Sequence, residues 1–501
     1  MARRGNRARP APPPQPRVTP APAGGAYRPL SNVDRDRIVD HAFEMLEHVG
    51  MADAPDRYAE LLLSAGAVRR DDGRILLPRT MVEAALDRAP STVSLPGFLE
   101  DRGISIGGDG VHIGTGGAAV QILDAATSTY RDSQLADLWT MMRVVDEMPN
   151  IHYGLRPLVA RDVEDPLELD LNTAFAVTAA TAKPSGVSFT SAATVDPVVD
   201  LFDLALGGEG RFAAQPFSMA VVVHVVPPLR FSPDGCEIME RAIERGMIVQ
   251  TCSAGQAGAT SPPSLAGSLA QGLAEILAGV VLAYAIKPGH PCIHAFMPFV
   301  SDLRTGAMTG GSGEAAVVSA AAAQLLRDLA IPHAVSAGIT ESKTADSQAG
   351  YEKSYTVTLS AQAGADMVQL SVGMLGSIMV ASPEILVIDS DMCGAILRSV
   401  RGVEVDPSYL DLAIIEEVVG GEGHYLGSAQ TLELMRSEYV YPDLGDRQSV
   451  AEWVSAGEPS IWDAARQRVA EIVAAGRPDH FDPANEAAIR TAFPIHLQGH
   501  S

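Results

Sequence analysis

From about residue 150 the chain alternates short apolar runs with longer stretches in which apolar residues recur every three or four positions. The short runs predict strands at 151–159, 185–190, 218–225, 247–253, 291–296, 333–337, 367–372 and 385–388. The longer stretches predict helices at 168–181, 197–206, 233–245, 264–286, 314–329 and 348–363. A run of four to eight apolar residues suits a strand buried on both faces, and a 3.6-residue period suits a helix with one apolar side. Strands separated by helical crossovers imply parallel pairing in an α/β fold. Eight is the number that closes into a (β/α)8 TIM barrel, and residues 150–402 match the usual length of about 250 residues. A doubly wound open sheet would place a Gly-rich turn after its first strand, where this chain has Arg156-Pro157.

The flanking regions read differently. Ser31-Asn-Val-Asp34 has the form of a capping box, and Ile38, Ala42, Met45, Leu46 and Val49 follow at helical spacing until Gly50. Further helices at 57–64 and 79–88, with turns and short strands across 107–123, make 27–149 an α+β region. Residues 403–501 form a helical C-terminal extension, with helices at 409–419 and 461–475. Residues 1–26 hold Arg3, Arg4, Arg7, Arg9 and Arg17 among Pro and Ala, with no apolar core of a secretory signal. Such a segment buries too little to offset its ordering entropy, so a disordered basic tail is expected.

Composition narrows the function classes. No uninterrupted apolar run reaches the ~18 residues of a membrane span, and 276–286 reads as a core helix, so no membrane is expected as a partner. The net charge is −24 with no Lys/Arg stripe, so no nucleic acid is expected either. Cys236, Cys252, Cys292 and Cys393 form no C-x-x-C pair and read as small buried hydrophobes in a reducing, cytoplasmic compartment.

Gly114-Thr-Gly-Gly-Ala-Ala119 matches a dinucleotide-binding pattern, but Val120-Gln-Ile-Leu-Asp124 continues it as a strand where a helix is required. Gly311-Ser-Gly-Glu-Ala-Ala316 reads as a helix-capping turn. In a TIM barrel the chemistry sits at the C-terminal ends of the strands. That rule selects Tyr153 and Arg156, His224, Ser253 and Gln256, and His294 and Phe296. It also selects the polar loop Gly338-Ile-Thr-Glu-Ser-Lys-Thr-Ala-Asp346. Gln348, Glu352 and Tyr355 share a face of the next helix, where Tyr351 and Glu352 offer a π-face and a charge to a cation. His224, His290 and His294 with Cys252 or Cys292 would be the ligands of a zinc enzyme, and Lys287 or Lys343 the Schiff-base lysine of an aldolase-like one. No metal site is expected.

Several stretches resemble the trimethylamine methyltransferase family of corrinoid-dependent methyltransferases. They are Gly114-Thr-Gly-Gly117 with Leu123-Asp124, Arg131 and Asp137; Ala257-Gly-Ala-Thr260; Ser264-Leu-Ala-Gly-Ser268 with Gln271, Ala274-Glu275 and Leu277-Ala-Gly-Val280; and Asp302-Leu-Arg-Thr-Gly306. Asp346-Ser-Gln-Ala-Gly-Tyr-Glu352 and a tail from His424-Tyr-Leu-Gly427 through Tyr441-Pro442 to Asp446-Arg447 extend the likeness over nearly everything after residue 30. The resemblance implies a TIM barrel that demethylates a methylamine and hands the methyl group to cobalamin on a separate corrinoid protein. Founding members carry pyrrolysine in the barrel; this chain has only standard residues and is similar to the betaine demethylases, which implies a small quaternary amine as substrate. No D-x-H-x-x-G corrinoid signature occurs, so the cobalamin is expected on a partner. On this reading Tyr153, Phe296 and Tyr351 surround the ammonium, and His224, Gln256 and His294 orient the polar end. Asp346, Gln348 and Glu352 shape the mouth, and a homo-oligomer is expected. The other readings are the zinc or Schiff-base enzyme and a non-catalytic betaine-binding protein.

Overall fold

The computed structural model describes residues 19–370, 372–421 and 423–498. Eight strands form one parallel sheet: β1 (His112–Ile113), β2 (Gly154–Leu155), β3 (Ser185–Val187), β4 (Ser218–Val223), β5 (Val249–Ser253), β6 (Cys292–Phe296), β7 (His333–Ser336) and β8 (Met367–Gln369). Their spatial order is β1-β8-β7-β6-β5-β4-β3-β2. A parallel bridge between Gly114 and Tyr153 joins the two end strands, so the sheet curls into a barrel-like ring. A helix follows every strand: α1 (Leu135–Glu147), α2 (Pro166–Ala180), α3 (Val195–Ala205), α4 (Pro233–Glu244), α5 (Leu265–Ile286), α6 (Gly313–Asp328), α7 (Ser347–Gln362) and α8 (Pro383–Arg401).

Seven of these strands lie within predicted runs; the eighth corrects the sequence reading. Residues 385–388 are helical, inside α8, which opens on the Ser382 side-chain cap with Pro383 in its first turn. The missing strand is β1, so a boundary at residue 150 would cut the first strand away from its sheet. Residues 1–18 of the expected disordered tail lie outside the described residues, but 19–26 are ordered against the N-terminal end of the sheet. Thr19 N–H donates to the Pro149 carbonyl at 2.8 Å, and Val111 N–H donates to the Pro22 carbonyl at 3.0 Å.

Alternation along the strands divides two apolar layers. Val222, Val249, Phe296, Val335 and Val368 face outward to the helices. Leu155, Met219, Cys252, Ile293, Ala295, Ala334 and Met367 face inward. Val93, Leu95 and Ile106 join this inner layer from an antiparallel hairpin (Val93–Leu95 with Ile104–Ile106) that plugs the N-terminal end of the ring. Each buried Val, Leu, Ile, Phe or Met among them contributes roughly 1.5–3 kcal/mol.

Helix α5 is apolar nearly all round because it is covered twice. One side meets the sheet, where Gly272 and Gly279 leave room for the Phe296 ring and the His224 imidazole. The other lies under the helices Asn32–Glu44, Asp56–Ser64 and Arg79–Arg88. It is the one described helix long and apolar enough to cross a membrane, and most of it is buried inside the protein. At the other end of the chain, Ile461–Ala474 packs on α1 and α8, and Pro483–Ala492 packs on α3.

Candidate functional site

With the N-terminal end covered by that hairpin, the exposed part of the inner face lies at the C-terminal ends of the strands. The inward face of β4 records this. Met219 is fully buried, Val221 is half-buried, and Val223, level with Cys252 on β5, is 53% exposed. A valine so exposed on the inner face of a central strand marks an open mouth.

Below that mouth lies a neutral polar floor. Gln250 of β5, level with Val221, reaches across the interior to Gln369 of β8, and its Nε2 donates to the Gln369 Oε1 at 2.6 Å. Gln369 Nε2 lies 3.8 Å from the Met297 sulfur, and the Cys252 thiol lies 3.7 Å from the same sulfur. Burial pushes that thiol up to about 12, so it stays protonated. Both glutamines are buried, and the Gln250 Oε1 has no protein partner. A buried orphan acceptor is costly unless something satisfies it.

Neither glutamine was among the predicted site residues. Their signal was present: each is the polar, uncharged member of an apolar strand, at an inward-facing register. The end-of-strand rule passed over them by selecting position along the strand without regard to which face a side chain occupies.

That omission also explains the corrections. His224, His294 and Phe296 belong to the outward register, in the layer between sheet and α5. His224 Nε2 donates to the Glu275 carbonyl at 3.0 Å, and His294 Nδ1 pairs with the Thr251 hydroxyl at 2.8 Å. Burial holds both imidazoles neutral, at about 4 for His224 and about 3 for His294. Tyr153 faces inward but is fully buried against Gly114, its hydroxyl donating to the Val368 carbonyl at 3.0 Å. Tyr351 is exposed on α7. The expected aromatic enclosure of Tyr153, Phe296 and Tyr351 is therefore not assembled. Among the described residues no cluster of three or more His, Cys, Asp or Glu side chains could hold a metal ion. His290 is bonded to the Met247 carbonyl, and Cys292 faces the helices.

The loop after β7 does bring predicted residues together, as a scaffold for the rim. Glu352 accepts from the Thr340 hydroxyl (2.5 Å), the Glu341 N–H (2.9 Å) and the Gln348 side chain (2.9 Å). Asp346 caps α7 through the Ala349 N–H and accepts from the Ser342 hydroxyl. Glu341 receives the N–H groups of Gly310 and Gly311 from the neighbouring loop; burial raises its carboxyl. Gln256 joins the loops after β5 and β6 by donating to the Ser301 hydroxyl at 2.7 Å. Three neutral donors fix Glu352 in place, so it braces the rim loop.

The lysine candidates lie away from the interior. Lys287 is exposed at the end of α5, and Lys343 is exposed in the rim loop. Two buried lysines went unpredicted, and both are structural. Lys183 donates to the carbonyls of Val145, Met148 and Ile151, and burial lowers it to about 7. Lys353 ties the loops after β7 and β8 to α8, through the carbonyls of Gly338 and Met374 and an ion pair with Asp389 at 3.1 Å.

The family model described as trimethylamine methyltransferase matches residues 1–495. A glycine betaine methyltransferase of Desulfitobacterium hafniense is 28% identical over 432 residues, 85% of this chain and 88% of that protein. A trimethylamine methyltransferase of Methanosarcina thermophila is 30% identical over 392 residues, 77% and 80% of the two chains. The solved monomethylamine methyltransferase of Methanosarcina barkeri aligns over 88% of this chain and 94% of its own, at 12% identity and a TM-score of 0.46.

Proposed function

The chain belongs to the trimethylamine methyltransferase family, and from that premise we propose that it takes a methyl group from a small quaternary amine of the betaine type and passes it to cobalamin on a separate corrinoid protein. The observation that carries this reading is the neutral, weakly polar inner face of the ring, exposed at Val223 and closed beneath by the buried Gln250–Gln369 amides.

A quaternary ammonium leaves as a neutral amine. The carbon–nitrogen pair stays on nitrogen and no proton moves, so the site needs no general acid or base. Cob(I)alamin on the partner supplies the electron pair for the new bond to the methyl carbon. Because opposite charges are consumed in that step, weakly polar surroundings favour the transition state over the separated ions. A carboxylate beside the ammonium would hold the cation more tightly than the neutralising transition state. The buried amide floor holds the orphan Gln250 oxygen, a partial negative charge, below the mouth, while Glu341 and Glu352 are held by hydrogen bonds in the rim loop. Val221 and Val223 form the apolar wall above that floor, where positioning in line provides much of the remaining rate. Val226, Leu303, Tyr351 and Met379 follow the C-terminal ends of different strands and are exposed, which suits the seating of a second protein over the mouth.

The test incubates the purified protein with chemically reduced cobalamin and a panel of amines. Methyl–cobalt absorbance should develop with glycine betaine or another quaternary amine, and not with trimethylamine. Folded protein that methylates cobalamin with no quaternary amine would remove this reading.

A further inference from the structure

On the methyl-transfer reading, the group to be transferred must face a partner at the C-terminal ends of the strands, so the other end of the molecule faces the floor. Three side chains stand at that depth. Gln250 and Gln369 are joined amide to amide, and Ser336 of β7 is level with Gln369 on the neighbouring strand. Ala334 faces the interior and Val335 the helices, so alternation turns Ser336 inward beside the amides. Ser336 is 4% exposed, and its hydroxyl bonds no other group among the described residues. Val221, level with Gln250, is half-buried, so the exposed inner wall extends down to the height of the amides.

The amide pair has two arrangements, each with one bond between the glutamines. In the first, Gln250 Nε2 donates to Gln369 Oε1, the Gln250 oxygen has no partner, and Gln369 Nε2 meets the Met297 sulfur at 3.8 Å. Turning both amides by half a rotation exchanges oxygen and nitrogen at each end. Gln369 then donates to the Gln250 oxygen, and the Gln250 nitrogen is left with its N–H groups free. The first arrangement presents an acceptor and the second a donor at the same buried point, and no strand has to move between them.

We infer that this floor is the seat of a carboxylate and that the substrate, if the protein is a methyltransferase of quaternary amines, is a zwitterion held with its anionic end down and its methylated end at the mouth. The Ser336 hydroxyl donates to one carboxylate oxygen and the turned Gln250 amide to the other. That satisfies two buried groups that have no partner of their own in the protein. A zwitterion suits a neutral floor, because it brings no net charge into the interior, whereas a bare ammonium brings its charge and leaves both polar groups unpaired. Val221 and Val223 remain to wall the methylated end.

Titration calorimetry on the full chain should show glycine betaine binding at least about tenfold more tightly than tetramethylammonium, which has the methyl groups and no anionic end. Gln250→Glu sets a carboxylate against the ligand's own, and Ser336→Ala removes a donor; each should cut that preference by about tenfold. A merely structural role would weaken both ligands together and leave their ratio unchanged. The Tm of each variant shows whether it folds, and Ser336→Ala, which removes a single oxygen, decides the matter if Gln250→Glu does not. Equal affinity for the two ligands, or no binding of glycine betaine, overturns the inference, as does a wild-type ratio in the folded variants. Methyl transfer is separable from it. Cobalamin methylated equally well from both amines keeps the reaction and removes the carboxylate seat, whereas carboxylate-dependent binding with no methylated cobalamin keeps the seat and removes the reaction.

Discussion

Helices α5 and Leu412–Gly420 are both predominantly apolar, yet the fold treats them oppositely. Most of α5 is buried between the sheet and the N-terminal helices, while Leu412–Gly420 covers only Val418. Apolar composition states that a helix needs partners; it does not state where they are. For α5 both partners belong to the same chain. Leu412–Gly420 finds almost none there. Strand β4 repeats the contrast on a smaller scale, with Met219 buried and Val223 bare on one inward face.

If α5 is held by shape as well as by burial, enlarging its small residues should do the greatest damage. A Cβ on Gly272 would stand 2.2 Å from the Phe296 ring, and one on Gly279 would stand 2.4 Å from the His224 imidazole. Gly272→Leu should cost about 3 kcal/mol or more, read as a lower urea midpoint. Taken per residue, the pH dependence should be nearly as large. His224 and His294 are held neutral at about 4 and about 3 against an ordinary 6.5, so on acidification the unfolded chain takes up their protons first. Stability from this source is complete above pH 6.5 and falls between there and pH 4, by roughly 2–3 kcal/mol for each histidine. Unfolding at pH 7, 6 and 5 should show that slope, and His294→Gln should flatten it.

Glu275, buried in α5, accepts from the Leu229 N–H, the Ser253 hydroxyl and the Gln271 side chain. Glu275→Ala strands those donors and should cost about 2 kcal/mol, visible as a lower Tm. Leu412–Gly420 should be the least sensitive: Leu412→Ser should change the stability of the dilute chain by no more than about 0.5 kcal/mol. A large loss there would mean that this helix already has a partner within its own chain.

The sequence was most legible where one signal prevailed. Strands β4 to β7 are apolar, β-branched runs between turn residues, and helices α2 to α7 begin and end close to where their periodicity places them. Strand β1 offers two residues, followed at once by Gly114, and its place comes from pairing with β8 and β2, which is tertiary information. Ile385-Leu-Val-Ile388 is apolar enough for a strand, but Ser382 and Pro383 were the stronger local signal and begin a helix. The candidate site suffered from a one-residue problem of register. His294 and Phe296 stand beside Ala295 on β6, and alternation sends them to the helices while Ala295 faces the interior. Position along the chain located the correct end of the ring; strand alternation, had it been applied, would have found Gln250 and Gln369.

The most direct measurement is the rate of cobalamin methylation by the wild-type chain beside Val223→Trp, with glycine betaine or whichever quaternary amine is turned over. Val223 bears on no neighbouring core, so the variant should fold with an unchanged Tm, while the indole fills the mouth and slows transfer at least about tenfold. An equal rate in a folded variant would place the chemistry somewhere other than the open end of this ring.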